Sequence, residues 1–152
     1  ILTLGLSTVV NAAGYGVIDL EKVVESSQYL KQQNASLEAS IKPQASKLEQ
    51  LNKELAALQK QSQTQGANLK QIETQYQAKM TEFTTLQQSV QSRVQTTIQN
   101  TNKTFEARVK QAAEQLRQEN SLDLVLNKNA ALAFDSKYDL TAKMIQKVNA
   151  IK

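Results

Sequence analysis

A chain of 152 residues with a formal charge of +4 and no histidine, cysteine or tryptophan closes off several chemistries at the outset. Without cysteine there is no disulfide framework and no thiolate metal site; without histidine the usual general base and the commonest transition-metal ligand are missing. Only four glycines and one proline interrupt it, so most of the chain is free to be helix.

Residues 1–13, ILTLGLSTVVNAA, read as the end of a secretory signal peptide. The apolar run is too short to cross a bilayer of roughly 30 Å as a helix. Small residues follow it, and Val10-Asn11-Ala12 fits cleavage after Ala12. The basic segment that usually opens such a signal is missing, so a truncated start is expected; the competing reading of the run is a buried strand. Next, YGVID (Tyr15 to Asp19) reads as a short strand. Asp19 is placed to cap a helical turn, LEKVVE, and Ser26 or Ser27 to cap a long helix that follows.

From residue 28 a helical period takes over. Apolar residues fall three or four apart at Leu37, Ile41, Ala45, Leu48, Leu51, Leu55 and Leu58. They do so again at Ile72, Tyr76, Met80, Phe83, Leu86, Val90 and Val94. Between the two series lies QKQSQTQGANLKQ, residues 59–71, where apolar residues give way to glutamine and Gly66 appears. Paired outward from this passage, 58 with 72, 55 with 76, 51 with 80, 48 with 83, 45 with 86, 41 with 90 and 37 with 94, every pair is centred near residue 65. An antiparallel hairpin requires that mirror; a straight parallel coiled coil does not. The spacing predicts helices near 28–62 and 68–118 joined by a tip at 63–68, with Gly66 taking a backbone conformation that other residues resist. Pro43 removes one helical hydrogen bond, at about 3 kcal/mol in an isolated helix. Because the mirror continues on both sides of it, a kink at 39–43 is expected rather than a break. In the returning helix, TTIQNTNKT (96–104) has poor propensity and only Ile98 keeps the stripe, before Phe105, Val109, Ala112 and Leu116 resume it.

The period then changes. LDLVL (122–126) is strand-like, Asn127-Lys128-Asn129 is turn chemistry and ALAF (131–134) reads as a second strand, so a β-hairpin is expected. Residues 135–138 form a loop, and Asp139 is placed to cap a terminal helix with Leu140, Met144, Ile145 and Val148 on one face. The fold class is α+β and mostly helical: a long helical hairpin arm, 28–120, projecting from a small β body, 14–27 and 121–152. A body this small buries little core, and its open sheet edges favour pairing with other subunits. Val17, Ile18, Leu124, Leu126, Leu132 and Phe134 are the candidates for that shared body. Charge is unevenly placed. Eleven Lys/Arg and seven Glu lie between Asn34 and Gln118, so the whole +4 sits on the hairpin and the rest nets zero. Such a surface favours anionic partners by steering, or is simply a solvated helical face.

The opening GVIDLEKVV, the Gln/Lys-rich hairpin and above all LDLVLNKNAALAFDSKYDLTAKMIQKV resemble the Skp/OmpH family of periplasmic chaperones. The resemblance covers essentially all of the chain after residue 13. It implies a homotrimer whose strands combine into one β-barrel, with three helical arms around a cavity. Unfolded outer-membrane proteins would be held there in the periplasm, without ATP and without a cofactor; no phosphate-cradling Gly-rich loop occurs. Some members are credited with a lipopolysaccharide site on an arginine-rich part of the returning arm. Here the matching region, 93–103, keeps Arg93 and Lys103 but no adjacent arginine pair.

A holdase is therefore the first reading. Adaptable apolar contact among Gln and Lys suits weak binding to many sequences. Tyr76, Met80 and Phe83 are expected mainly to fill the hairpin seam. Contact with clients falls to flanking residues, Leu69 with Lys60, Lys70 and Lys79, and anionic membrane lipid or lipopolysaccharide is a further candidate partner. A coiled-coil spacer or adaptor is the alternative. Specific nucleic-acid binding is disfavoured because Glu is interleaved with Lys/Arg and no recognition motif accompanies them. Catalysis is least favoured: nothing places two carboxylates in a dry pocket, and no metal site is expected.

Overall fold

The computed structural model describes residues 14–152; the signal-peptide reading of 1–13 lies outside them. The elements are β1 (Tyr15–Ile18), α1 (Leu20–Ser26), α2 (Gln28–Ser62), α3 (Leu69–Glu119), β2 (Leu124–Asn127) and α4 (Thr141–Ala150), with single 3₁₀ turns at Lys128–Ala130 and Ser136–Tyr138. They divide into two units. One is the helical hairpin, Tyr29–Thr104; the other takes in residues 14–28 and Phe105–Lys152.

In the hairpin the turn falls where the mirror centre puts it. α2 ends at Ser62 and α3 starts at Leu69. Gly66 has φ +81°, and open space surrounds it, so the backbone angle rather than crowding is what favours glycine there. Asn68 Oδ1 accepts from the Gln71 amide at 3.3 Å, satisfying one of the first free N–H groups of α3. Leu51, Leu55 and Leu58 are buried; Ile72, Tyr76, Met80, Phe83, Leu86, Val90 and Val94 are half-buried on the returning helix. Two ion pairs cross between the helices, Lys47 to Glu82 at 3.3 Å and Lys79 to Glu54 at 2.7 Å, and both straddle residue 65. The antiparallel register is thus visible in charges as well as in the apolar stripe. α2 continues unbroken through Pro43.

Two seam positions differ from the expected stripe. Ala45 is exposed, and its neighbour Gln44 is half-buried instead. Ile98 is 47 % exposed, while Thr101 is buried and Thr97 half-buried. Gln33, Asn34 and Leu37 lie across from the two threonines. Leu30 borders the same depression, and Ile98 lines it from the α3 side beside the two threonines.

In the smaller unit β1 and β2 pair in parallel, Tyr15 with Leu124 through Ile18 with Asn127. The other edge of β1 meets residues 139–140: Val17 bridges to Asp139, and the Leu140 amide donates to the Val17 carbonyl at 2.8 Å. The expected β-hairpin over 122–134 is therefore not formed. ALAF is not a strand, and Leu132 is fully exposed. The turn residues are spent elsewhere. Asn127 Oδ1 accepts from the Leu20 amide at 3.4 Å, and Lys128 Nζ reaches Asp19 at 2.5 Å. Asp19 caps α1 by accepting from the Lys22 amide, and its carboxyl is held below the ordinary carboxylate range chiefly by its hydrogen bond to Lys128.

Gly16 is the tight point of the sheet, since a Cβ there would lie 2.6 Å from Leu140 Cδ1 and 2.9 Å from Leu122 Cδ1. Val23, Ala112, Leu116, Met144 and Val148 form the core beneath it. α4 begins at Thr141, one residue later than expected, because Leu140 is tied to β1; Asp139 Oδ1 still accepts from the Thr141 amide at 2.9 Å. Asn149 braces the break between α1 and α2. Its Oδ1 accepts from the Gln28 amide at 2.9 Å, and its amide donates to the Ser26 carbonyl at 3.1 Å. α3 ends in a 6→1 closure, Leu122 amide to Arg117 carbonyl at 2.8 Å, with Ser121 at φ +50° where glycine is the usual residue.

Candidate functional site

The hairpin buries one stripe and leaves the rest of both helices to solvent, so any binding surface it has is built from what borders that stripe. At the tip, α2 and α3 diverge into the 63–68 turn and a groove of about 360 Å³ opens between their ends. Leu58, Ile72 and Tyr76 floor it, Leu69 stands at its rim, and Glu73 and Gln77 contribute polar wall. Leu69 is 59 % exposed. It follows Asn68 directly, so the cap that starts α3 also fixes where this leucine emerges.

The three lysines expected to carry charge to a partner are not equivalent. Lys60 and Lys70 are exposed, and among the described residues neither enters an ion pair. Lys79 is committed. Its Nζ lies 2.7 Å from Glu54 and 3.8 Å from Glu82, and the close pairing with Glu54 holds its ammonium above the ordinary lysine value. Glu54 is anchored in turn by Gln50 Nε2 at 2.8 Å. Lys79 is thus part of the clamp between the helices, unlike Lys60 and Lys70.

Arg93 and Lys103 do not converge. Ten residues of α3 separate them, about 15 Å along the axis, and both are exposed. With the Gln44 amide in the orientation that satisfies its neighbours, Arg93 donates to it at 3.2 Å, so this guanidinium also belongs partly to the hairpin.

The candidates for a shared body separate by burial. Val17 and Ile18 are buried within the single chain, whereas Leu126, Leu132 and Phe134 are exposed and Leu124 is half-buried. Tyr15 and Tyr138 add to the exposed apolar surface of this unit. Among the described residues no helix is long and apolar enough to cross a membrane.

Sequence reasoning singled out Leu69 but not the groove behind it, nor Glu73. The signal was present: Ile72 and Glu73 each lie three or four residues from both Leu69 and Tyr76, on one helical face. They border the passage where the helices part, with Leu58, Gln59 and Ser62 of α2 across the groove from them.

Comparison with known proteins follows the same lines. The family model for outer membrane protein (OmpH-like) matches residues 14–148. No curated protein matches the sequence. Among solved structures, a Caulobacter crescentus CB15 protein described as an outer membrane chaperone (OmpH-like) is similar, with a TM-score of 0.66 and 21% identity. The match covers 91% of this chain and 85% of that one. At that identity the likeness speaks to the fold: a mostly helical chain with long helices and a small sheet.

Proposed function

The chain belongs to the OmpH-like outer membrane protein family, and from that premise we propose that it is an ATP-independent holdase chaperone for unfolded outer-membrane proteins in the periplasm. The observation that carries the reading is the open apolar groove at the tip of a hairpin whose only core is its own seam. Such a surface presents apolar side chains among glutamines and unpaired lysines, without the enclosed, shape-specific pocket that a single cognate ligand would call for. Binding of this kind is weak per contact, and repeated copies strengthen it by raising effective concentration.

Assembly as a homotrimer supplies those copies. In this reading residues 14–27 with 121–152 are the oligomerisation domain, and 28–120 is the arm. Leu126, Leu132 and Phe134, exposed on one chain, are buried in a β-barrel shared by three. The outer edge of β2, which has β1 as its pairing partner among the described residues, takes a strand from a neighbouring subunit, as open edges favour. Client chains are held in the cavity between three hairpins. The same basic hairpin surface accounts for attraction to anionic membrane lipid. A discrete lipopolysaccharide site on Arg93 and Lys103 gains no support from their separation.

The test is dilution of a urea-unfolded outer-membrane protein into buffer with and without the chain, followed by light scattering. Suppression of scattering near one trimer per client, unchanged by added ATP, is expected. Unaltered aggregation, or suppression that needs nucleotide, contradicts the proposal.

A further inference from the structure

The hairpin carries the whole net positive charge of the chain, yet its tip groove presents a negative one. The groove's floor is apolar, formed by Leu58, Ile72 and Tyr76 with Leu69 at the rim. Glu73 stands in its wall one helical turn from both Leu69 and Tyr76. Among the described residues no ion pair reaches Glu73. Lys70, the nearest basic residue in sequence, lines a neighbouring depression with Thr74 instead. The volume, about 360 Å³, is at the low end for a ligand pocket and suits one aromatic side chain with its flanking backbone.

An apolar floor beside an unpaired carboxylate discriminates by charge. An aromatic side chain with a neighbouring lysine or arginine gains both contacts; with a neighbouring glutamate it gains one and suffers repulsion. We infer that the tip groove docks an aromatic side chain next to a basic residue in an unfolded polypeptide. The inference rests on the holdase reading and deepens it by naming the segment class the tip selects. It also separates two roles of charge: the basic hairpin steers anionic chains at long range, and Glu73 picks a cationic segment at contact.

The experiment is a titration of the ¹⁵N-labelled full chain with two capped peptides, Gly-Ser-Tyr-Lys-Ser-Gly and the same peptide with glutamate in place of lysine. Chemical shifts should concentrate on residues 58–62 and 69–77. The lysine peptide should bind about two- to fivefold more tightly, the range of an exposed ion pair. Glu73→Lys should reverse the order, and Leu69→Ser should weaken both peptides. Both side chains are exposed, and circular dichroism checks that the variants keep their helix content. Shifts confined to other parts of the chain, equal affinity for the two peptides, or a preference that survives Glu73→Lys would each overturn the inference. Concentration-dependent shifts at the groove without peptide would make a second copy of this chain its occupant, and would overturn it as well. Aggregation of an unfolded outer-membrane protein, followed on the same samples, keeps the two claims apart. Suppression without groove binding removes the groove alone; groove binding by the lysine peptide without suppression removes the holdase reading and leaves the groove.

Discussion

Truncating Leu51 and Ile98 in turn tests how the hairpin is held together. Leu51 has no exposed surface, so Leu51→Ala forfeits its transfer free energy and leaves a gap; in close-packed cores the change costs about 2–5 kcal/mol. A two-helix seam has neighbours on one side only and collapses more readily than a globular core. That puts the expected cost near the lower end, about 2–3 kcal/mol. Ile98 is 47 % exposed and realises only about half of the roughly 1.5–3 kcal/mol that full burial supplies. The better helix propensity of alanine returns a few tenths, about 0.4 kcal/mol. Ile98→Ala should therefore cost about 0.5–1 kcal/mol. Urea unfolding followed by circular dichroism at 222 nm reads both. Equal costs for the two variants, or a larger cost for Ile98→Ala, would return Ile98 to the seam and refute the reasoning.

Ser121→Gly should stabilise the chain by about 1 kcal/mol, because a non-glycine residue at φ +50° carries a left-handed penalty of roughly 1–2 kcal/mol, partly offset by the added freedom of glycine in the unfolded chain; a lower melting temperature contradicts this. Glu114, hydrogen-bonded by Arg117 first and by Gln118, has its carboxyl lowered from 4.5 to about 2. A carboxylate depressed on folding contributes stability that is complete above its unfolded value and lost as pH falls towards its folded one. Glu114→Gln should therefore flatten the loss of stability between about pH 4.5 and 2, and identical acid limbs would show the pair to be inert. Reversing Lys60 and Lys70 to Glu should slow capture of an unfolded outer-membrane protein at low salt, fade at high salt and leave helicity intact. Lys79→Glu should lower helicity as well, since it sets a third carboxylate beside Glu54 and Glu82; equal helicity in all three variants contradicts the distinction.

The hairpin was legible in the sequence because its information is local and redundant. A three-to-four-residue period and one glycine locate both helices, and the mirror locates the turn. The sheet was not, because β2 pairs in parallel with a strand more than a hundred residues earlier, and such pairing leaves no turn signal beside it. Asn127-Lys128-Asn129 looked like a hairpin turn, yet its side chains reach back to Leu20 and Asp19, contacts that sequence spacing does not display. In the 96–104 segment an apolarity count favours Ile98, whereas the helix phase turns Thr101 into the seam and leaves Ile98 47 % exposed. Lys79 sits beside seam residue Met80, and only the position of Glu54 on the other helix turns it from a surface charge into a clamp. Glu73 was passed over for the converse reason: its significance lies in the charge that fails to reach it.

The holdase reading stands most directly on the mass of a captured client complex. Multi-angle light scattering of the chain mixed with an unfolded outer-membrane protein, without nucleotide, should give three copies of the chain and one client in a soluble particle. A chain that stays monomeric and leaves the client in the aggregate would contradict the account.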